Sequence, residues 1–154
     1  MIGRWIARLA VLLAVALTGC ELPVVNAQAD AAARGVYAQV AAGADLSGDG
    51  QLSADMRTPQ GLAALQADRG MIPKSAPVSV ENRAWRFSSD ADGAAADLVH
   101  AYRYTDRTVV AETRLRKPPG AQSWQVVSFE LHVEDPAPEQ RRIAPDPALH
   151  PEQT

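Results

Sequence analysis

Residues 96–115 read Ala96-Asp97-Leu98-Val99-His100-Ala101-Tyr102-Arg103-Tyr104-Thr105-Asp106-Arg107-Thr108-Val109-Val110-Ala111-Glu112-Thr113-Arg114-Leu115. Leu98, His100, Tyr102 and Tyr104 occupy alternate positions, the spacing that places side chains on one face of a strand. Thr105-Asp106-Arg107 supplies a tight turn into a second run over 108–115. The same pattern extends in both directions. Upstream, Val78-Ser79-Val80 leads toward Trp85-Arg86-Phe87 with a change of apolar phase, which predicts a bulge within 81–84. Ser89-Asp90-Ala91-Asp92-Gly93 has turn chemistry and joins that strand to the next. Downstream, Lys117-Pro118-Pro119-Gly120 is another turn, followed by a strand over 124–133. There Val127, Phe129, Leu131 and Val133 are expected on the core face, opposite Val126, Ser128, Glu130 and His132. Four strands joined by short turns make an antiparallel meander.

The first half of the chain changes period from two to 3.6. Ala29, Ala33, Val36, Tyr37 and Val40 recur at steps of three and four and form one apolar face, with Gly43 as the stop. A second helix is punctuated by Thr58 at the N-cap, Pro59 at N1 and Gly70 at a left-handed C′ position, with Leu62 and Leu65 turned inward. Met71 and Pro73 follow that stop, and a shorter helical piece is expected over 53–57. Helices first and strands after, with the helices on one face, is α+β architecture. From residue 134 onward Pro136, Pro138, Pro145, Pro147 and Pro151 remove backbone donors, so 134–154 reads as a disordered tail that also holds His150.

The N-terminus carries a different signal. Arg4 and Arg8 precede an apolar run over 9–17, too short for a span of roughly 20 apolar residues, and Leu17-Thr18-Gly19-Cys20 closes it. These residues resemble the lipobox of bacterial lipoproteins. The resemblance implies a signal peptide over 1–19, lipidation of Cys20, and an anchor and tether over 20–27 ahead of the domain at 28–133. Glu21 after the cysteine favours the outer over the inner membrane, with the domain in the cell envelope facing the periplasm. Loss of Arg4 and Arg8 with the leader moves the net charge from −3 to −5. A mildly acidic domain lacks the clustered cations that nucleic acid requires. With Cys20 as the single cysteine, no thiol is left to pair.

The order of elements carries a second resemblance. The aromatic-bearing helix at Val36-Tyr37, the Gly/Asp loop, Leu52-Ser53-Ala54-Asp55-Met56-Arg57, the Thr58-Pro59 helix and the Trp124, Val126, Phe129 pattern are similar to small bacterial lipoproteins with a nuclear-transport-factor-2-like or cystatin-like domain. That resemblance implies a curved, cone-like four-stranded sheet wrapped on a helix. It covers relatives that are binding or accessory domains and others that are isomerases or cyclases. Fold alone does not choose among these.

Two sets of residues are candidates for chemistry. Asp45, Ser47, Asp49 and the Gln51 carbonyl, with Leu52 inward and Ser53 next, follow the start of a calcium loop. Met56 stands where the bidentate Glu belongs, so the competing reading is an Asx-type connector. His100, Tyr102 and Tyr104, with His132 beyond, are candidates for a cavity in the cone, but the strands offer no inward carboxylate to pair with them. Arg103, Arg114 and Arg116 with Glu112 are read as a solvated face in cross-strand pairs, and Trp85 and Trp124 as core or sheet-edge anchors. The function expected is a lipid-anchored envelope domain that binds a protein partner or small apolar ligand without catalysis and without a cofactor. The alternatives are a calcium-stabilised domain and an isomerase- or cyclase-like enzyme.

Overall fold

The computed structural model describes residues 21–134. The expected signal peptide, Cys20 and the expected 134–154 tail, apart from Glu134, which ends the last strand, lie outside the described residues. Two helices and four strands follow in the order α1 (Glu21–Ala42), α2 (Pro59–Arg69), β1 (Ser79–Asp90), β2 (Gly93–Arg103), β3 (Thr108–Lys117) and β4 (Gln125–Glu134). The strands pair antiparallel in the open order β1-β2-β3-β4, so the α+β meander holds.

The helix α1 buries Ala29, Ala33, Val36, Tyr37 and Val40, the face its spacing predicts. It begins earlier than expected, at Glu21, so residues 21–27 of the stretch assigned to a tether are helical backbone. It ends in a Schellman motif, in which Gly43 N–H donates to the Val40 carbonyl and Ala44 N–H to the Gln39 carbonyl, both at 3.0 Å. Gly43 has φ +67°, a conformation that disfavours any Cβ. Thr58 caps α2, its Oγ1 accepting from Gly61 N–H at 3.2 Å, and Pro59 follows at the helix start.

Three expectations need correction here. Gly70 is right-handed (φ −62°, ψ −20°), because the chain past α2 continues in tight turns, with Met71 and Ile72 N–H donating to the Asp68 and Arg69 carbonyls. Residues 53–57 form turns rather than a helix, with Arg57 N–H shared between the Ser53 and Ala54 carbonyls. The face of β4 switches within the strand. Arg114 pairs with Ser128 and Leu115 with Val126, so Val127 is an extra residue. That bulge returns Val126 to the core, fully buried, and leaves Val127 half-buried. Phe129 and Leu131 are buried as expected, whereas Val133 is 43% exposed at the strand end.

The bulge expected in β1 is present between Asn82 and Ala84. The helix α1 packs over β2, β3 and β4, and α2 packs on α1 and β4. The opposite face of the sheet is polar, with Asp97 directly across from Arg114 at 2.9 Å and Arg103 reaching Glu81 at 3.2 Å. Arg83 on β1 donates to both carboxylate oxygens of Glu134 on β4, at 2.7 and 2.8 Å. The two outer strands thus curl close enough for their side chains to meet.

Candidate functional site

His100, Tyr102 and Tyr104 do converge, and α1 supplies what the strands lack. Asp30, one residue past buried Ala29, accepts a 2.7 Å hydrogen bond at Oδ1 from Nε2–H of His100. Its Oδ2 accepts from Arg34 Nε at 2.7 Å, one helical turn away. Burial works to raise the Asp30 pKa, but the bonds from His100 and Arg34 and the charge of Arg34 outweigh it and hold the carboxyl below its ordinary value. Deeper in, the Tyr37 ring lies flat on Tyr102, with centroids 3.5 Å apart and planes 3° from parallel. The Tyr37 and Tyr104 hydroxyls share a 2.9 Å hydrogen bond. Burial pushes the Tyr37 and Tyr102 hydroxyls far above the usual phenol range, so both stay protonated.

The side chains of this cluster are buried and pack on one another. His100 is 1% exposed and its Nδ1 is buried without a partner among the described residues, as is the Tyr102 hydroxyl. The carboxylate reaches solvent only from its outer side, at 32% exposure. The arrangement is a clamp between α1 and β2. Asp30 was not legible as a site residue, because its partner lies 70 positions away and the residue sits just off the apolar stripe. The spacing of Asp30, Arg34 and Tyr37 along one helix flank was the available signal.

The calcium-like loop turns its oxygens inward on itself. Asp45 Oδ1 accepts from Ser47 N–H at 3.0 Å and Asp49 Oδ1 from Gln51 N–H at 2.8 Å, which makes two Asx turns. The bond from Ser47 holds the Asp45 carboxyl below its ordinary range. The Gln51 carbonyl accepts from Val126 N–H at 2.7 Å, and Ser53 N–H donates to the Val126 carbonyl at 2.9 Å. Leu52, fully buried between them, pins the loop to the edge of β4. Among the described residues no group of three or more His, Cys, Asp or Glu is placed to hold a metal ion. His132 is on the polar face, with Nδ1 3.9 Å from Glu112.

The outer edge of β1 differs from that of β4. Trp85 is 66% exposed beside Phe87, with ring centroids 5.7 Å apart. A groove of about 290 Å³ separates this strand from α1, with Trp85, Phe87 and Asn82 on one wall and Asn26, Ala27 and Asp30 on the other. Arg86, between the two aromatics, has no ion-pair partner among the described residues. Trp124 is the opposite case, an anchor only 3% exposed, as the reading of core tryptophans expects. The chain matches no protein-family model, no curated protein and no solved structure.

Proposed function

We propose that this chain is a lipid-anchored protein of the cell envelope, held through Cys20 and facing the periplasm at the outer membrane, whose domain binds a protein partner along the β1 edge. The leader and Leu17-Thr18-Gly19-Cys20 support the anchoring. The observation that carries the binding reading is the uncovered segment of β1 around Trp85. An edge strand presents unpaired backbone donors and acceptors, and folded proteins usually blunt it. Here the bulge at Asn82/Ala84 and the Arg83–Glu134 pair occupy the first half of β1. The stretch from Trp85 to Ser89 is regular and carries an exposed aromatic. An extended segment of the partner adds there as a fifth strand, with an apolar side chain against Trp85 and an acidic one beside Arg86.

The filled interior supports the same choice. With Tyr37, Tyr102, Tyr104 and His100 packed on one another, a ligand is better served outside the sheet than within it. Photo-crosslinking in living cells tests this, with the reactive side chain placed at position 85 or, on the polar face, at 114. A discrete adduct from position 85 and none from 114 is the expected result. Equal adducts from both positions, or none from 85, would overturn the assignment of the edge.

A further inference from the structure

Arg86 and Asp90 stand four positions apart in the regular segment of β1 past its bulge, so their side chains share the polar face. Both residues are exposed, and neither has an ion-pair partner among the described residues. Asp97, directly across from Arg86 on β2, is taken by Arg114 at 2.9 Å. Asp90 lies across from Gly93, which has no side chain to offer, and its Oδ1 accepts from Asp92 N–H at 2.9 Å. Exposed Ser88 lies midway between the two charges on the same face. The open edge thus presents a cation, a hydroxyl and an anion at alternate positions.

That order is complementary to its own reverse. Two β1 strands laid edge to edge and antiparallel about Ser88 bring Arg86 of each copy opposite Asp90 of the other, with Ser88 opposite Ser88. Opposite charges and paired hydroxyls directly across a ladder are favourable, and like charges are not. Centring the pair on Arg86 or on Asp90 would set like charges opposite. Centring it on Phe87 leaves both ions facing small neutral residues, and on Ser89 runs the ladder into the turn at 91–92. Exposed ion pairs add little affinity, but they do select one register. In that register Ala91 of the second copy comes level with Trp85, the apolar neighbour the exposed ring lacks.

The two-fold axis of such a pair runs normal to the sheet, so both α1 helices lie on the same side of the joined sheet. The helix α1 packs over β2, β3 and β4 and starts directly after Cys20 in the chain, which lets both anchors enter one membrane. A ladder over 86–90 is short of the roughly 1,200 Å² that a stable dimer in solution buries. Tethering both copies to one surface raises their effective concentration and offsets that shortfall. We infer that the partner taken by the β1 edge is a second copy of this chain, paired antiparallel about Ser88 with Arg86 and Asp90 exchanged between the copies. The inference rests on the reading of β1 as the binding edge and names its occupant.

The test is oxidative cross-linking of the full lipidated chain in vesicles of phosphatidylethanolamine and phosphatidylglycerol. Lipidation occupies the Cys20 thiol, so each variant carries one reactive cysteine. Ser88→Cys sets two cysteines across the axis with Cα atoms about 4.5–5.5 Å apart, inside the span a disulfide bridges. Arg86→Cys or Asp90→Cys leaves them about 14 Å apart along the strands, too far to link. Linked dimer is expected from Ser88→Cys and none above background from the other two. In the Ser88→Cys chain, Arg86→Asp should abolish the dimer by facing Asp90 with a second acid, and adding Asp90→Arg should restore it. Equal yields from all three cysteine positions, or charge reversal without effect, would overturn the inference. If Ser88→Cys stays monomeric while position 85 still cross-links to a different protein, the edge stands and self-pairing alone falls. If neither links, both fall.

Discussion

The two edges of this sheet are finished differently. At β4 the chain folds back, so that Leu52 is fully buried and the backbone of Gln51 and Ser53 bonds Val126 from outside. At β1 the strand runs from Ser79 to Asp90 with its side chains mostly in solvent and Trp85 66% exposed. Both edges contain a bulge, at Val127 in one and near Arg83 in the other. On β4 the bulge returns Val126 to the core, whereas on β1 it leaves a regular segment beyond it with no strand alongside among the described residues. Apolar area that the fold itself uses is costly to remove. Apolar area that it leaves exposed costs little to remove and is free for another molecule.

The largest effect should come from the closed edge. Leu52→Ala removes a fully buried side chain and the anchor of the loop, and should cost about 2–5 kcal/mol in chemical denaturation. A loss under about 1 kcal/mol would mean that the loop is an ornament on β4.

Next is the clamp that holds α1 over β2. Asp30→Ala leaves the His100 Nε2–H buried and unpaired, at about 1–3 kcal/mol. Its pH dependence has a definite sign. The folded pKa of Asp30 lies below the ordinary 3.8, so the stability it contributes is present above that value and is lost as pH falls through the lower folded value. Acid titration of wild type and Asp30→Asn should converge at the bottom of that window. Curves that stay parallel throughout would show that the carboxylate contributes nothing through its charge.

A smaller effect of opposite sign belongs to the closed edge. Burial, and then the neighbouring charge of Glu130, raises the pKa of Asp68 on α2. A raised carboxyl favours the folded state most at pH below its ordinary value and costs stability as pH rises through the folded one. Asp68→Asn should therefore melt slightly higher than wild type at pH 7, with the gain vanishing below about pH 3.8. A lower melting temperature at pH 7 would contradict this. The smallest change is at the open edge, where Trp85→Ala should shift stability by less than about 0.5 kcal/mol, as at a surface position. A loss of several kcal/mol there would mean that Trp85 serves the core and not a partner.

Much of this fold is legible in the sequence because its core follows two simple periods. The stripe from Ala29 to Val40 and the alternation from Leu98 to Tyr104 each state their buried face locally. What local pattern misses are features decided elsewhere. Val126 is inward because the extra residue at Val127 shifts the phase of β4, and Leu52 bridges to it there from 74 positions away. Gly70 stays right-handed because Met71 and Ile72 continue turning against the core. In the candidate site, His100, Tyr102 and Tyr104 are readable as one group, but Asp30 is not, since an acid beside an apolar stripe reads as solvated until its histidine is found.

Hydrogen–deuterium exchange along β1 tests the central claim most directly, comparing the chain in native envelope membranes with the purified lipidated protein. Partner addition at the open edge predicts slower exchange of amides within 85–89 in the membranes, with the amides of Val126 and Ser53 unchanged because they are already bonded to each other's segment. Equal exchange over 85–89 in both preparations would contradict the claim that β1 is the working edge of this protein.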